Sequence, residues 1–133
     1  MTNPSRQEGK SRPARSQSLA HSFGCAFSGI AQGAASQRNM KIHIAVAVLA
    51  IIACTVLKCT AMEWAVVLVL IGAVIAAELF NTAIESVVDL ASPDIHPLAK
   101  RAKDVAAGAV LVLAITAVVV GLIIFIGAFI RLI

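Results

Sequence analysis

Charge is what this sequence is shortest of. Only 14% of its 133 residues are Asp, Glu, Lys or Arg, while 59% are hydrophobic. An ordinary soluble domain is about a quarter charged and about half apolar. Too little polar surface is left to cover a water-soluble globule, which excludes a soluble globular enzyme, a disordered chain and a nucleic-acid-binding domain. Cysteine is scarce too. Cys25, Cys54 and Cys59 make no CxxC pair and no metal-ligand spacing, and Cys54 sits inside an apolar run where it reads as a small core hydrophobe. A phosphate-binding loop is missing: Gly9-Lys10-Ser11 has the tail of one, but Pro4 occupies the position of the first glycine and no strand precedes it. Ile51-Ile52-Ala53-Cys54 lies too deep in the chain for a lipoprotein cleavage box. Gly108, Gly121 and Gly127 are not spaced as GxxxG, and there is no internal repeat.

What the chain has is long apolar runs. Residues 1–17 are polar, basic and interrupted by Pro4 and Pro13, and read as a disordered cytoplasmic tail. Residues 18–35 are mildly amphipathic: Leu19, Phe23, Phe27 and Ile30 share a helical stripe, as expected of a helix lying in the membrane interface. Three spans follow, at about 42–58, 63–89 and 101–130, so residues 18–133 form one membrane domain. Ser92-Pro93 stops the second span. Arg6, Lys10, Arg12, Arg15, Arg38 and Lys41 precede the first span, and Lys100, Arg101 and Lys103 open the third, whereas the first connection carries only Lys58. The positive-inside bias therefore places the N-terminus and the second connection in the cytoplasm, and the C-terminus outside. The net charge of +4 is read as this topological signal and not as a nucleic-acid footprint.

The chemistry is concentrated in Glu78-Leu-Phe-Asn81-Thr82-Ala-Ile-Glu85-Ser-Val-Val-Asp89. At helical spacing Glu78, Thr82, Glu85 and Asp89 fall within about 60° of one another, with Asn81 at the edge. Glu78 follows fourteen uncharged residues, and a carboxylate at that depth is costly enough to be a functional candidate by default. Across the turn, Lys100, Lys103, Asp104 and Ala107 share a face of the next helix. An acidic face beside a basic one suits a metal–nucleotide complex, since carboxylates hold Mg²⁺ and lysine neutralises phosphate. Composition alone leaves an equal alternative, in which the two faces simply pair as salt bridges.

These residues carry a resemblance. Glu78-x-x-Asn81-Thr82-Ala-Ile-Glu85-x-x-Val-Asp89, His96-Pro-Leu-Ala-Lys100 and Ala102-Lys103-Asp104-x-Ala-Ala-Gly108 closely resemble the small bacterial integral-membrane lipid kinases of the diacylglycerol kinase and undecaprenol kinase family. Arg38-Asn39-Met40-Lys41-Ile-His43 and the Ser22–Ile30 segment are similar as well, so the resemblance covers roughly residues 19–127. It implies an all-α membrane protein with three transmembrane helices and an N-terminal interfacial helix, a homotrimer with shared active sites in the bacterial cytoplasmic membrane. It implies transfer of the γ-phosphoryl of Mg-ATP to a lipid hydroxyl. Carried over by motif, Glu78 is the general base, Asn81 positions groups beside it, and Glu78 and Ala107 meet the lipid. Glu85 is the Mg²⁺ ligand, Asp94 and His96 lie in the nucleotide-contacting turn, and Lys103 and Asp104 contact the phosphates. The wording around Asn81 and Gly108 is more similar to the undecaprenol branch, with diacylglycerol as the alternative acceptor. Two positions depart from the pattern. Gln37 stands where members often carry a second metal-binding glutamate, so that contact loses its charge, and Ser18 stands where some diacylglycerol-type members have arginine. The distant rival, a small proton-coupled transporter, predicts a lone intramembrane acid and a fourth span, neither of which the sequence offers.

Overall fold

The computed structural model describes residues 18–94 and 96–133, so the expected 1–17 tail lies outside the described residues. Four helices account for nearly all of what is described: α1 (Leu19–Ser36), α2 (Arg38–Val56), α3 (Ala61–Ala91) and α4 (Pro97–Leu132). Each boundary has a local cause. Ser18 caps α1 by accepting the His21 N–H at 3.3 Å. Gln37 alone separates α1 from α2, in an extended conformation (φ −97°, ψ 126°). Thr60 and Glu63 form a reciprocal capping box at the start of α3. At the start of α4, Pro97 takes the first position and His96 Nδ1 accepts the Leu98 N–H at 3.2 Å.

α2 begins at Arg38, before the apolar run that marks it in the sequence. Arg38, Asn39 and Met40 wind its first turn, and Met40 is buried there. Hydropathy alone could not see a polar first turn.

α2, α3 and α4 are each long and apolar enough to cross a membrane, at 19, 31 and 36 residues. At 1.5 Å per residue these are about 28, 46 and 54 Å long, against a hydrocarbon core of about 30 Å. α2 just spans; α3 and α4 overshoot. Since α3 starts close to the end of α2, the excess length lies at the other end of the α3–α4 pair, where α3 ends and α4 begins.

α3 and α4 form an antiparallel pair that carries most of the packing, with α2 laid mainly against α3. An ion pair holds each end: Lys103 with Asp89 at the end near the α3–α4 turn, and Arg131 with Glu63 at the other. The buried stripe of α3 runs Val67, Val74, Glu78, Asn81, at spacings of seven, four and three. Small and β-branched residues of α4, among them Ala106, Val110 and Ala128, lie buried in the bundle. Close approach over small residues is how helices associate where lipid removes the hydrophobic drive. Most large apolar side chains, from Leu19 to Ile133, face outward, as a lipid-immersed surface requires.

α1 meets α3 at Gly33. A Cβ there would stand 2.6 Å from Leu79 Cδ2, so glycine is what lets α1 lie this close to the residue next to Glu78.

Candidate active site

The stripe that buries two valines in α3 goes on to bury a carboxyl group. Glu78 is 2% exposed and Asn81 5%, both in positions that valine or leucine would fill in a plain bundle. Among the described residues, no hydrogen bond or ion pair reaches the Glu78 carboxylate. The Thr82 hydroxyl donates to the Glu78 main-chain carbonyl at 2.9 Å, so it serves the backbone and not the carboxylate.

Asn81 uses half of its amide. Its Nδ2 donates to Glu85 Oε1 at 3.2 Å, while its buried Oδ1 has no partner. A buried acceptor without a donor costs about 1–3 kcal/mol, so the Asn81 oxygen calls for a water, an ion or a ligand group beside it. The hydrogen bond also fixes the Glu85 side chain, one turn further toward the α3–α4 turn and half-buried. Glu78, Asn81 and Glu85 thus form a ladder of oxygen acceptors along α3, ending in the exposed Asp89.

The basic helix faces this ladder only in part. Lys103 reaches across from α4 to Asp89. Lys100 and Asp104 pair with each other along α4 at 2.5 Å, both well exposed. The salt-bridge alternative left open by composition therefore holds for Asp89, Lys100, Lys103 and Asp104, and fails for Glu78 and Glu85. Counting back from the two ion pairs puts Glu85 level with about residues 107–109 of α4, and Ala107 is exposed there. Asp94 and His96 are exposed in the turn, where the Ser92 hydroxyl donates to the Asp94 carbonyl and His96 caps α4. Gln37 is half-buried at the α1–α2 joint, one turn beyond the Gly33 contact, and its side chain makes no capping hydrogen bond.

No group of three or more His, Cys, Asp or Glu side chains able to hold a metal occurs among the described residues. The donor set on α3 suits a hard cation nonetheless. Mg²⁺ takes one or two carboxylates and completes its shell with water and phosphate oxygens. Glu85 and the unpartnered Asn81 oxygen are donors of that kind.

An apolar groove of about 510 Å³ lies between α2, α3 and α4, bounded by Val46, Ala50, Val74, Ala117 and Phe125. Neither Glu78, Asn81 nor Glu85 lines it, so this groove is separate from the polar chemistry of α3.

Helical wheels placed Asn81 at the edge of the acidic face, and its burial was not foreseen. The clue was available: Asn81 lies seven residues after Val74 and fourteen after Val67. The Arg131–Glu63 pair was also missed, because nothing in the spacing of two residues this far apart announces a contact.

Fold and site together define a small helical membrane protein whose buried polar groups, Glu78 and Asn81, lie toward one end of a helix pair. Residues 24–125 match the family described as prokaryotic diacylglycerol kinase, and the chain belongs to that family. Over 104 residues it is 44% identical to undecaprenol kinase of Bacillus subtilis, covering 78% of this chain and 85% of that protein. Over 125 residues it is 42% identical to a diacylglycerol kinase of Synechocystis, covering 89% and 71%. It is accordingly an enzyme, a lipid kinase that draws on a nucleotide phosphoryl donor.

Proposed function

We propose that the chain transfers the γ-phosphoryl of ATP to the terminal hydroxyl of undecaprenol at the cytoplasmic face of the bacterial inner membrane. The observation that carries this is the Glu78–Asn81–Glu85 ladder: a buried, unpaired carboxyl group and an orphaned amide oxygen, above a carboxylate held by hydrogen bonding. The apolar tail of the acceptor stays in lipid, and its hydroxyl meets Glu78 inside the boundary. Glu78 takes the hydroxyl proton as the oxygen attacks. Asn81 orients the groups on either side of it. Glu85, with Asn81 Oδ1 near it, would hold the Mg²⁺ of the nucleotide, and that ion supplies charge neutralisation at the phosphates. Phosphoryl transfer asks mainly for positioning and charge compensation, which three helices can provide.

The nucleotide's place is the turn and the start of α4. Lys103 neutralises phosphate by exchanging Asp89 for the ligand, with Asp104 supporting it. Asp94 and His96 contact the nucleotide from the turn. Ala107, exposed one turn after Lys103, leaves room for the lipid headgroup. Gln37 offers Mg²⁺ a neutral second oxygen. The exposed stripe Leu19, Phe23, Phe27 and Ile30 of α1 supports its placement in the membrane interface. The outward-facing apolar surface and the thin α2–α4 contact fit a homotrimer that completes each site from a neighbouring copy.

Undecaprenol is preferred because the similar Bacillus protein carries that name, and its likeness spans most of both chains. Diacylglycerol is the second reading, favoured by the Synechocystis relative. ATP consumption measured side by side with the two lipids in mixed micelles decides between them: undecaprenol should give the higher kcat/KM, and a clear excess with diacylglycerol would reverse the assignment. A reporter fused after Ile133 should lie outside the cytoplasm and one inserted near Asp94 inside; a cytoplasmic C-terminus would overturn the orientation.

A further inference from the structure

The end of α2 has an unusual composition for its geometry. The Cys59 N–H donates to the Cys54 carbonyl at 3.0 Å, and the Lys58 N–H to the Thr55 carbonyl at 3.3 Å. Lys58 between them has φ 52°, in the left-handed region. These are the two hydrogen bonds and the left-handed residue of a Schellman motif, in which the third-last helical residue and the second residue past the cap bring their side chains together. That contact is ordinarily hydrophobic. Here both positions are cysteine, so the motif turns the Cys54 and Cys59 side chains toward one another. Cys54 is fully buried and Cys59 half-exposed. The motif also tolerates lysine where glycine is usual, so the turn is held in this shape despite an unfavourable residue.

We infer that Cys54 and Cys59 form a redox-active dithiol that closes to a disulfide across the α2–α3 turn. This rests on the orientation proposed above, which puts the turn on the outer face of the membrane, where disulfides form and persist. The oxidant is a protein disulfide of that compartment. The Cys59 thiolate, reachable from outside, attacks one sulfur of it and releases the first thiol. The Cys54 thiolate then attacks the Cys59 sulfur of the mixed disulfide and releases the second. Two electrons pass to the oxidant, and the two cysteine protons end on its thiols. Cys25, on α1 at the opposite end of α2, takes no part. The link would fasten α2 to α3 beside the Thr60–Glu63 cap, without touching the inner end.

The full chain in detergent micelles is reduced, then treated with diamide, denatured and counted for free thiols. Three thiols should fall to one, with Cys54 and Cys59 in one linked peptide. Cys59→Ser should keep both remaining thiols and the kinase activity. Three thiols surviving in an active wild-type protein would overturn the inference. In cells, acid quenching and alkylation should find the pair oxidised. An impermeant maleimide applied to spheroplasts separates the two ways this can fail. Labelling of Cys59 from outside with no disulfide overturns the inference alone. No labelling of the reduced pair, and no disulfide, overturns the orientation along with it.

Discussion

The two ends of the α3–α4 pair handle charge in opposite ways. At the end where α3 begins, Glu63 lies in the first turn of α3 and Arg131 in the last turn of α4, each where the helix dipole favours its sign. Glu63 also closes the capping box with Thr60 and receives Arg131 Nη2 on both oxygens, at 2.8 and 2.7 Å. Both charges are matched by helix dipole and partner, and Glu63 by its cap as well. At the end where α3 turns into α4, Asp89 sits in the last turn of α3, and Lys100 and Lys103 sit near the start of α4, each against the dipole. Glu78 and the Asn81 oxygen are buried without partners. The same two helices thus carry a stabilising end and an end whose polar groups are arranged at some cost to stability. Uncompensated placement of this kind supports the site proposed above.

Mutations should separate the ends. Glu85→Gln removes the carboxylate that accepts the Asn81 amide N–H. Because no other described carboxylate replaces it, turnover should fall at least about 10²-fold across a magnesium titration. Retained activity would move the metal to Asp89 or Asp104. Lys103→Met should act next most strongly, raising the KM for ATP by about tenfold or more while leaving lipid affinity unchanged. A defect confined to lipid affinity would contradict its phosphate role. Arg131→Met should lower thermal stability slightly, as loss of an exposed ion pair does, and leave kcat within about twofold. A loss of turnover in the folded variant would mean that the two ends are coupled. Gln37→Glu should have the smallest effect, moving the magnesium plateau to lower free metal with lipid preference unchanged. An unmoved titration curve would exclude Gln37 from the metal's surroundings.

Much of this contrast was legible in the sequence, for a physical reason. Apolar runs and basic flanks report helices that must cross lipid, and carboxylates at helical spacing after fourteen neutral residues stand out against that background. Glu78 and Glu85 are visible on those terms. What escaped notice depends on pairings between helices or on backbone shape. Arg131 meets Glu63 only once α3 and α4 are laid antiparallel. Asp89 takes Lys103, and Lys100 takes Asp104, where the basic face looked like a single unit. Cys54 and Cys59 are five residues apart, a spacing that means nothing on a helix and acquires meaning only through the left-handed Lys58. Gly33 reads as a weakness of α1 until Leu79 is found against it.

The most direct test compares two glutamates on one helix. Glu78→Gln and Glu63→Gln each replace one carboxyl group of α3 by an amide of nearly the same shape. ATP turnover with saturating undecaprenol and thermal stability are measured on both purified proteins. Glu78→Gln should lose about 10²–10⁴ in kcat, as expected for a general base, with ATP affinity little changed and stability equal to or above that of the parent. Glu63→Gln should lose stability and keep its turnover. A Glu78→Gln protein that is folded and turns over at the parent rate would contradict the account.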